Sequence, residues 1–258
     1  TNAAIRFIER NRGRPFFVYL STNAPHTPLQ IDETYVAPYR AMGLDDTTAR
    51  VYGMIANIDE NLGRRRPRRR GRALDKNTIV IFLTDNGPQQ NRYNCGMRGR
   101  KGTVYEGGIR VPCFVRWPGV LNTGKKVHRI AAHIDILPTL LDACGVGKPQ
   151  GLSLDGISLM PLLQGGSVEW SDRTLYFQWH RGDEPQLFRN CAARSQRYKL
   201  INGKELYDII ADPGEQNNIA DEHPSVLSGM RRSYQEWFRD VSGTRGFEPQ
   251  RIHLGTPF

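Results

Sequence analysis

The chain has 258 residues with 38% apolar content, enough for one large domain or a domain with a smaller appendage around a real core. Its net charge of +10 is uneven: Arg64, Arg65, Arg66, Arg68, Arg69, Arg70 and Arg72 crowd into nine residues, and without these seven it falls to +3, which argues against a broad nucleic-acid-gathering face. Cys95, Cys113, Cys144 and Cys191 form no CxxC pair and no Cys/His spacing suited to zinc, and no apolar run reaches the length of a membrane span.

Residues 2–10 read as an amphipathic helix with Ile5 and Ile8 on one face. The apolar run at 16–20 (FFVYL) reads as a buried strand. This opening inside a helix reads as the continuation of upstream sequence, so the lack of a targeting segment says nothing of compartment. Over 45–62, Val51, Ile55, Ile58 and Leu62 recur at helical spacing, and 77–84 (NTIVIFLT) is a second strand. Runs apolar on both faces with a helix between them predict a parallel or mixed sheet covered by helices on both faces, an α/β plan. A strand at 111–117 and a helix at 134–144 with Pro138 in its first turn follow. Past Gly145 the chain is punctuated by Gly, Pro and Ser. Short runs at 174–179, 187–193, 198–201 and 205–208, with a turn at Asn202-Gly203, predict a smaller antiparallel sheet, closed by a helix at 225–238. The expected division is 1–150 for the main domain and 151–258 for a carboxyl-terminal α+β subdomain.

The strongest local signal is the strand IVIFLT running into Asp85-Asn86-Gly87. Strand ends of an open α/β sheet line its ligand crevice, and a carboxylate beside an amide carbonyl offers hard oxygens suited to calcium or magnesium. The same tripeptide is also an ordinary turn, because Asp and Asn bond their own backbone. His26 stands beyond the first apolar run, between Pro25 and Pro28, and Lys101 is framed by Gly99 and Gly102, where a compact ammonium can approach an oxyanion.

The segments PFFVYLSTNAPHTPLQ, NTIVIFLTDNG, RGRKGTVYEGGIRVPCFVRWPG, HIDILPTLLDACGV and ELYDIIADPGEQNNIADEHP together resemble the sulfatase family of the alkaline phosphatase superfamily, over nearly the whole chain except the arginine run. The resemblance implies an alkaline-phosphatase-like α/β fold and the hydrolysis of sulfate esters, aryl or glycan. It implies that Asp85 and Asn86 supply two ligands of a calcium or magnesium ion, and that Lys101 and His26 contact the sulfate. In the family a cysteine converted to formylglycine is the nucleophile. The dication and Lys101 would then neutralise charge on the sulfuryl oxygens, His26 would protonate the leaving oxygen, and Asp85 would accept a proton from the nucleophile. His180, in Trp179-His180-Arg181, is a candidate substrate contact at the pocket rim. The resemblance also implies a periplasmic, secreted or lysosomal setting.

The family's Cys-x-(Pro/Ala)-x-Arg segment is absent around all four cysteines, and so is its early pair of aspartates; the expectation is that both precede Thr1 and that these 258 residues alone are inactive. The arginine run departs from the family. Pro67 breaks the helix there, and the run reads as a solvated loop, a polyanion patch without the interleaved aromatic residues of a nucleic-acid site, or a local frame error. His133 and Asp135 read as capping and packing residues, Glu106 as a buried hydrogen-bonding carboxylate, and His128 and His223 as loop residues. Two alternatives stay open: a phosphate or phosphonate ester hydrolase of the same superfamily, and a non-catalytic protein binding sulfated glycans through Lys101, Arg98 and Arg100, with the arginine run as a further contact.

Overall fold

The computed structural model of the chain describes residues 1–63, 72–165, 170–181 and 184–245. The arginines from Arg64 to Arg70 lie outside the described residues, so the readings of that run have no structural counterpart. The chain divides into two compact units, Thr1–Ile79 with Trp117–Gly119, and Val80–Arg116 with Val120–Phe258.

The first unit contains helices α1 (Asn2–Asn11), α2 (Glu33–Ala41), α3 (Asp46–Gly63) and α4 (Arg72–Lys76). Helix α1 is the expected one and buries Ala4. Helix α2 was not legible from apolar spacing; Asp32 starts it by accepting a hydrogen bond from Thr34 N at 2.9 Å, which satisfies one of the free amides of the first turn. Helix α3 spans the predicted segment but buries Thr48, Ala49, Val51, Gly53 and Met54, while Ile55 is exposed. The cause is close helix approach: a β-carbon on Gly53 would lie 2.9 Å from the Tyr35 carbonyl oxygen, so the small residues decide which side of α3 meets α2.

The FFVYL run does not form the predicted strand. It belongs to no helix or sheet, and Phe17 and Tyr19 are 71% and 83% exposed. An extended segment becomes a strand only when a neighbour pairs with its amides and carbonyls, and among the described residues it has no such neighbour.

The second unit opens with β1 (Val80–Leu83), which pairs antiparallel with β2 (Cys113–Arg116), Val80 opposite Arg116 and Leu83 opposite Cys113. Every strand pairing among the described residues is antiparallel. Helix α5 (Glu106–Ile109) lies between β1 and β2 in sequence. A single 3-10 turn at His133–Asp135 runs into α6 (Ile136–Ala143), with Pro138 in the first turn as the sequence predicts, and α7 (Met160–Gln164) follows.

The carboxyl-terminal sheet is the one expected, ordered β3 (Leu175–Gln178), β4 (Cys191–Arg194), β5 (Tyr198–Ile201) and β6 (Glu205–Asp208), all neighbours antiparallel. At the β5–β6 turn Asn202 and Gly203 both have positive φ, 51° and 68°, and Lys204 N donates to Ile201 O at 3.0 Å, the mirror-image turn that suits twisted strands. Strand β4 begins four residues later than the apolar pattern suggests, because Phe188 and Asn190 take up positive φ before it.

This sheet is apolar on both faces, and alternation sorts its residues between two cores. Cys191, Ala193, Leu200 and Tyr176 face helix α8 (Pro224–Arg245), packing on Tyr234, Leu227, Met230, Trp237 and Phe238. Ala192, Ile201, Tyr207 and Phe177 face the other way, onto Val104 and Tyr105 just before α5. The second core is what fixes the segment carrying Lys101. Among the described residues no helix is long and apolar enough to cross a membrane.

Candidate active site

Strand β1 delivers Asp85 and Asn86 two and three residues past its end, as the sequence predicts. The exit is held by His133, whose Nε2 lies 2.9 Å from Thr84 O; because a carbonyl only accepts, that nitrogen carries the proton. His133 therefore does more than cap its own turn: it fixes the residue just before the acid. Asp85 is exposed and Asn86 half-buried, and neither side chain is hydrogen-bonded to a described residue.

Gly87 is required where it stands. A β-carbon there would fall 1.8 Å from Gly107 O, and Gly87 N donates to Gly108 O at 2.9 Å. Lys101 N donates to Pro88 O at 2.9 Å, so the two loops that carry Asp85-Asn86 and Lys101 are stitched backbone to backbone. The lysine loop is itself tightly wound: Gly107 N donates to Arg98 O at 2.7 Å, Thr103 N to Arg100 O at 3.0 Å, and Asn94 Nδ2 to Met97 O at 2.7 Å. Gly99 and Gly102 adopt φ of 82° and 84°, which a side chain would strain. The result is an exposed Lys101 whose ammonium is bonded to no described residue. Arg98 is committed elsewhere, donating to Tyr207 Oη at 2.9 Å and Glu215 O at 3.2 Å and lying 4.1 Å from the Tyr105 ring centroid. Burial and a hydrogen bond to Glu205 push the Tyr105 phenol up to about 12, so it stays protonated at neutral pH.

Beneath the loop lies a cluster of buried charges that sequence reasoning did not find. Lys199 of β5 is fully buried, with Nζ 3.0 Å from Glu106 Oε1 and 2.7 Å from Glu215 Oε1. Glu215 Oε2 in turn accepts from Glu106 N at 2.7 Å, and Arg194 Nε lies 3.5 Å from Glu106 Oε1. Burial pushes the Glu215 carboxyl up, and Lys199 and the Glu106 amide only partly reverse this. Glu106 is thus the buried hydrogen-bonding carboxylate read from sequence. The available signal for its partners was a lysine at an inward position of the otherwise apolar strand YKLI.

His180 is exposed just past β3 and bonded to no described residue; its neighbour Trp179 is the side chain that reaches the lysine loop, its Cζ2 lying 3.8 Å from where a Gly102 β-carbon would be. His26 belongs to the first unit. It is exposed in the turn where the sequence puts it, His26 N donating to Asn23 O at 2.8 Å and the ring Nδ1 lying 2.9 Å from Thr27 O. With Nδ1 donating to that carbonyl, Nε2 is the nitrogen left for chemistry.

As a metal site, Asp85 and Asn86 fit in part: two hard oxygens, uncommitted and rooted on a fixed backbone, suit calcium or magnesium. Among the described residues no group of three or more His, Cys, Asp or Glu side chains is placed to hold a metal ion.

The pattern of the family described as Sulfatase matches residues 1–146, and that of "N-sulphoglucosamine sulphohydrolase, C-terminal" matches residues 99–236. Arylsulfatase A of Bos taurus is 31% identical over 254 residues, covering 94% of this chain and 48% of that protein. A sulfatase of Formosa agariphila is 32% identical over 242 residues, covering 82% of this chain and 43% of its own. The crystal structure of Ps i-CgsB in complex with k-i-k-neocarrahexaose superposes with a TM-score of 0.83 at 25% identity, covering 96% of this chain and 56% of that one. The chain spans about half the length of the curated relatives it matches.

Proposed function

Because the chain belongs to the sulfatase family, we propose that the protein containing it hydrolyses sulfate esters, aryl or glycan, and that the Asp85-Asn86 pair and Lys101 form one side of its active site. The observation that carries this reading is the double backbone stitch, Gly87 to Gly108 and Lys101 to Pro88, which holds two hard oxygen donors and an uncommitted ammonium on adjoining loops. The Ps i-CgsB complex with an oligosaccharide supports including glycan sulfates among the substrates.

A bound calcium or magnesium ion would supply Lewis-acid stabilisation of the sulfuryl oxygens, and a formylglycine from sequence outside these residues the nucleophile. Asp85 and Asn86 would hold that ion. Lys101 would bind a sulfuryl oxygen and offset the charge that grows on it towards the transition state. Asp85 is also the carboxylate suited to accept the nucleophile's proton, a role the neighbouring dication would weaken by lowering its basicity. His26, donating through Nδ1 to Thr27 O, would protonate the leaving oxygen from Nε2, and His180 would contact substrate at the rim.

The test is turnover of matched aryl sulfate and aryl phosphate by the whole protein with added calcium or magnesium. Metal-dependent sulfate release is expected, and Lys101→Ala should lower kcat/KM by about a hundredfold or more. Faster turnover of the phosphate would overturn the reading.

A further inference from the structure

Resting on the sulfate-ester reading and extending it to substrate class, the geometry points to Trp179 as a stacking platform that holds a sugar ring of an anionic saccharide next to Lys101. A tryptophan at a strand exit has an obvious alternative fate, burial in the sheet's core. Here β3 sends Tyr176 and Phe177 into the two cores and leaves Trp179 41% exposed. The indole is not loose, however. Its edge lies against Gly102, the residue after Lys101, with Cζ2 and Cε2 3.8 and 4.0 Å from the position a β-carbon would take there.

One asparagine ties the two together. Trp179 N donates to Asn190 O at 3.0 Å, and Asn190 Nδ2 donates to Gly102 O at 3.2 Å, with Asn190 in the left-handed region at φ 46°. The ring and the lysine loop are therefore set at a fixed spacing. The Nε1–H of Trp179 donates to no described residue, so the ring offers an apolar face and a free donor in the same place.

The surroundings select the ligand. The Arg181 guanidinium lies over one face of the Trp179 ring, 5.4 Å from its centroid, which leaves the opposite face for a sugar, and Arg181, Arg100 and Lys101 are all exposed. An isolated aryl group would be better served by apolar walls on several sides. A pyranose ring presents C–H groups on one face, which stack on indole, and hydroxyls around its rim, which meet the indole N–H. Further sulfate or carboxylate groups along the saccharide would meet the arginines. Gly102 keeps the approach open, because any side chain there would enter the space beside the indole.

The experiment compares the whole protein with Trp179→Ala and Trp179→Phe, using 4-nitrophenyl sulfate and sulfated disaccharides of carrageenan, chondroitin, heparan and fucan types. We expect Trp179→Ala to raise KM about tenfold for the disaccharide that the wild type turns over best, with kcat and all 4-nitrophenyl sulfate parameters within about twofold. Trp179→Phe, which keeps an aromatic face, should restore most of that KM. Equal losses on both substrates, or no change on either, would overturn the platform. So would a wild type that cleaves 4-nitrophenyl sulfate but none of the disaccharides, while leaving the sulfatase reading intact. A wild type that cleaves neither substrate removes that reading, and the platform with it.

Discussion

Asp135 has no solvent-exposed surface, yet its carboxylate is the hub of four interactions. It accepts from Ala132 N at 2.7 Å, from Ile157 N at 3.0 Å and from Arg173 Nη1 at 2.8 Å, and pairs with Arg173 Nη2 as well. Burial alone would raise its pKa; Arg173 and the two amides outweigh it and hold the carboxyl below its ordinary 3.8. The sign of the pH dependence follows. A depressed native pKa stabilises the fold fully above 3.8, and that contribution disappears as pH falls through the lower native value. Asp135→Asn should therefore cost about 3–5 kcal/mol in urea melts at pH 6, because Arg173 loses its buried counter-charge, and the gap to wild type should narrow at pH 3. A gap of the same size at both values would contradict this account. The capping role of Asp135 was legible in the sequence from its place before IleLeuPro. Its partner was not, since Arg173 is 38 residues away and nothing in local spacing points to it. The same holds for the pairing of Trp179 with Gly102: neither segment points to the other, and the relation between them exists only in three dimensions.

At the scale of elements, the lysine loop and β5 are joined by charge rather than by hydrogen-bonded strands. Among the described residues, Lys199 is the one cation between Glu106 and Glu215 that is itself fully buried. Replacing it with methionine would leave two carboxylates facing each other out of water, so Lys199→Met should cost about 3–5 kcal/mol in urea melts. Glu215→Gln removes one of those negative charges and can keep an oxygen for the Glu106 amide, so the double variant Lys199→Met/Glu215→Gln should recover part of the loss. A double variant less stable than Lys199→Met alone would argue against charge balance as the role of this lysine. The elements themselves were legible wherever alternation or a helical period extended over enough residues, as in β3 to β6, α6 and α8. Helix α2 escaped because its residues, ETYVAPYRA, carry a proline and little apolar periodicity; its start is set by Asp32. The FFVYL run misled in the opposite sense, since its composition is that of a strand while pairing depends on a neighbour elsewhere.

For the whole molecule, the family could be read from sequence because five separate segments agree in order and spacing, whereas any one of them, DNG above all, is an ordinary turn motif. The fold that results is mixed α/β with a small antiparallel sheet backed by a helix, like the sulfatase structures it superposes on. The candidate site was legible as a set of residues, but the backbone stitch that joins Asp85-Asn86 to Lys101 was not, since it runs through main-chain atoms and glycines. None of the four cysteines lies in the nucleophile segment of the family. The 258 residues, purified and shown to be folded by circular dichroism, should accordingly release no sulfate from 4-nitrophenyl sulfate above the buffer rate, whereas the whole protein should. Turnover by this chain alone would require a nucleophile that the present assignment does not contain.

The buried Lys199 also sets an order of events during synthesis. Glu106 and Lys199 are 93 residues apart, and the acid leaves the ribosome first. At ~5–20 residues per second, the lysine loop waits roughly 5–20 s for its fully buried counter-charge, and longer for Glu215. Until β5 arrives, Glu106 can pair with Arg110, 3.7 Å away in the fold, and with Arg194 of β4, 3.5 Å away, but the loop that presents Lys101 lacks the fully buried lysine beneath it. The loop that presents Lys101 therefore gains its buried support late in translation, and a message that stops between Arg181 and Lys199 removes that support while leaving Asp85, Asn86, Lys101 and His180 in the chain.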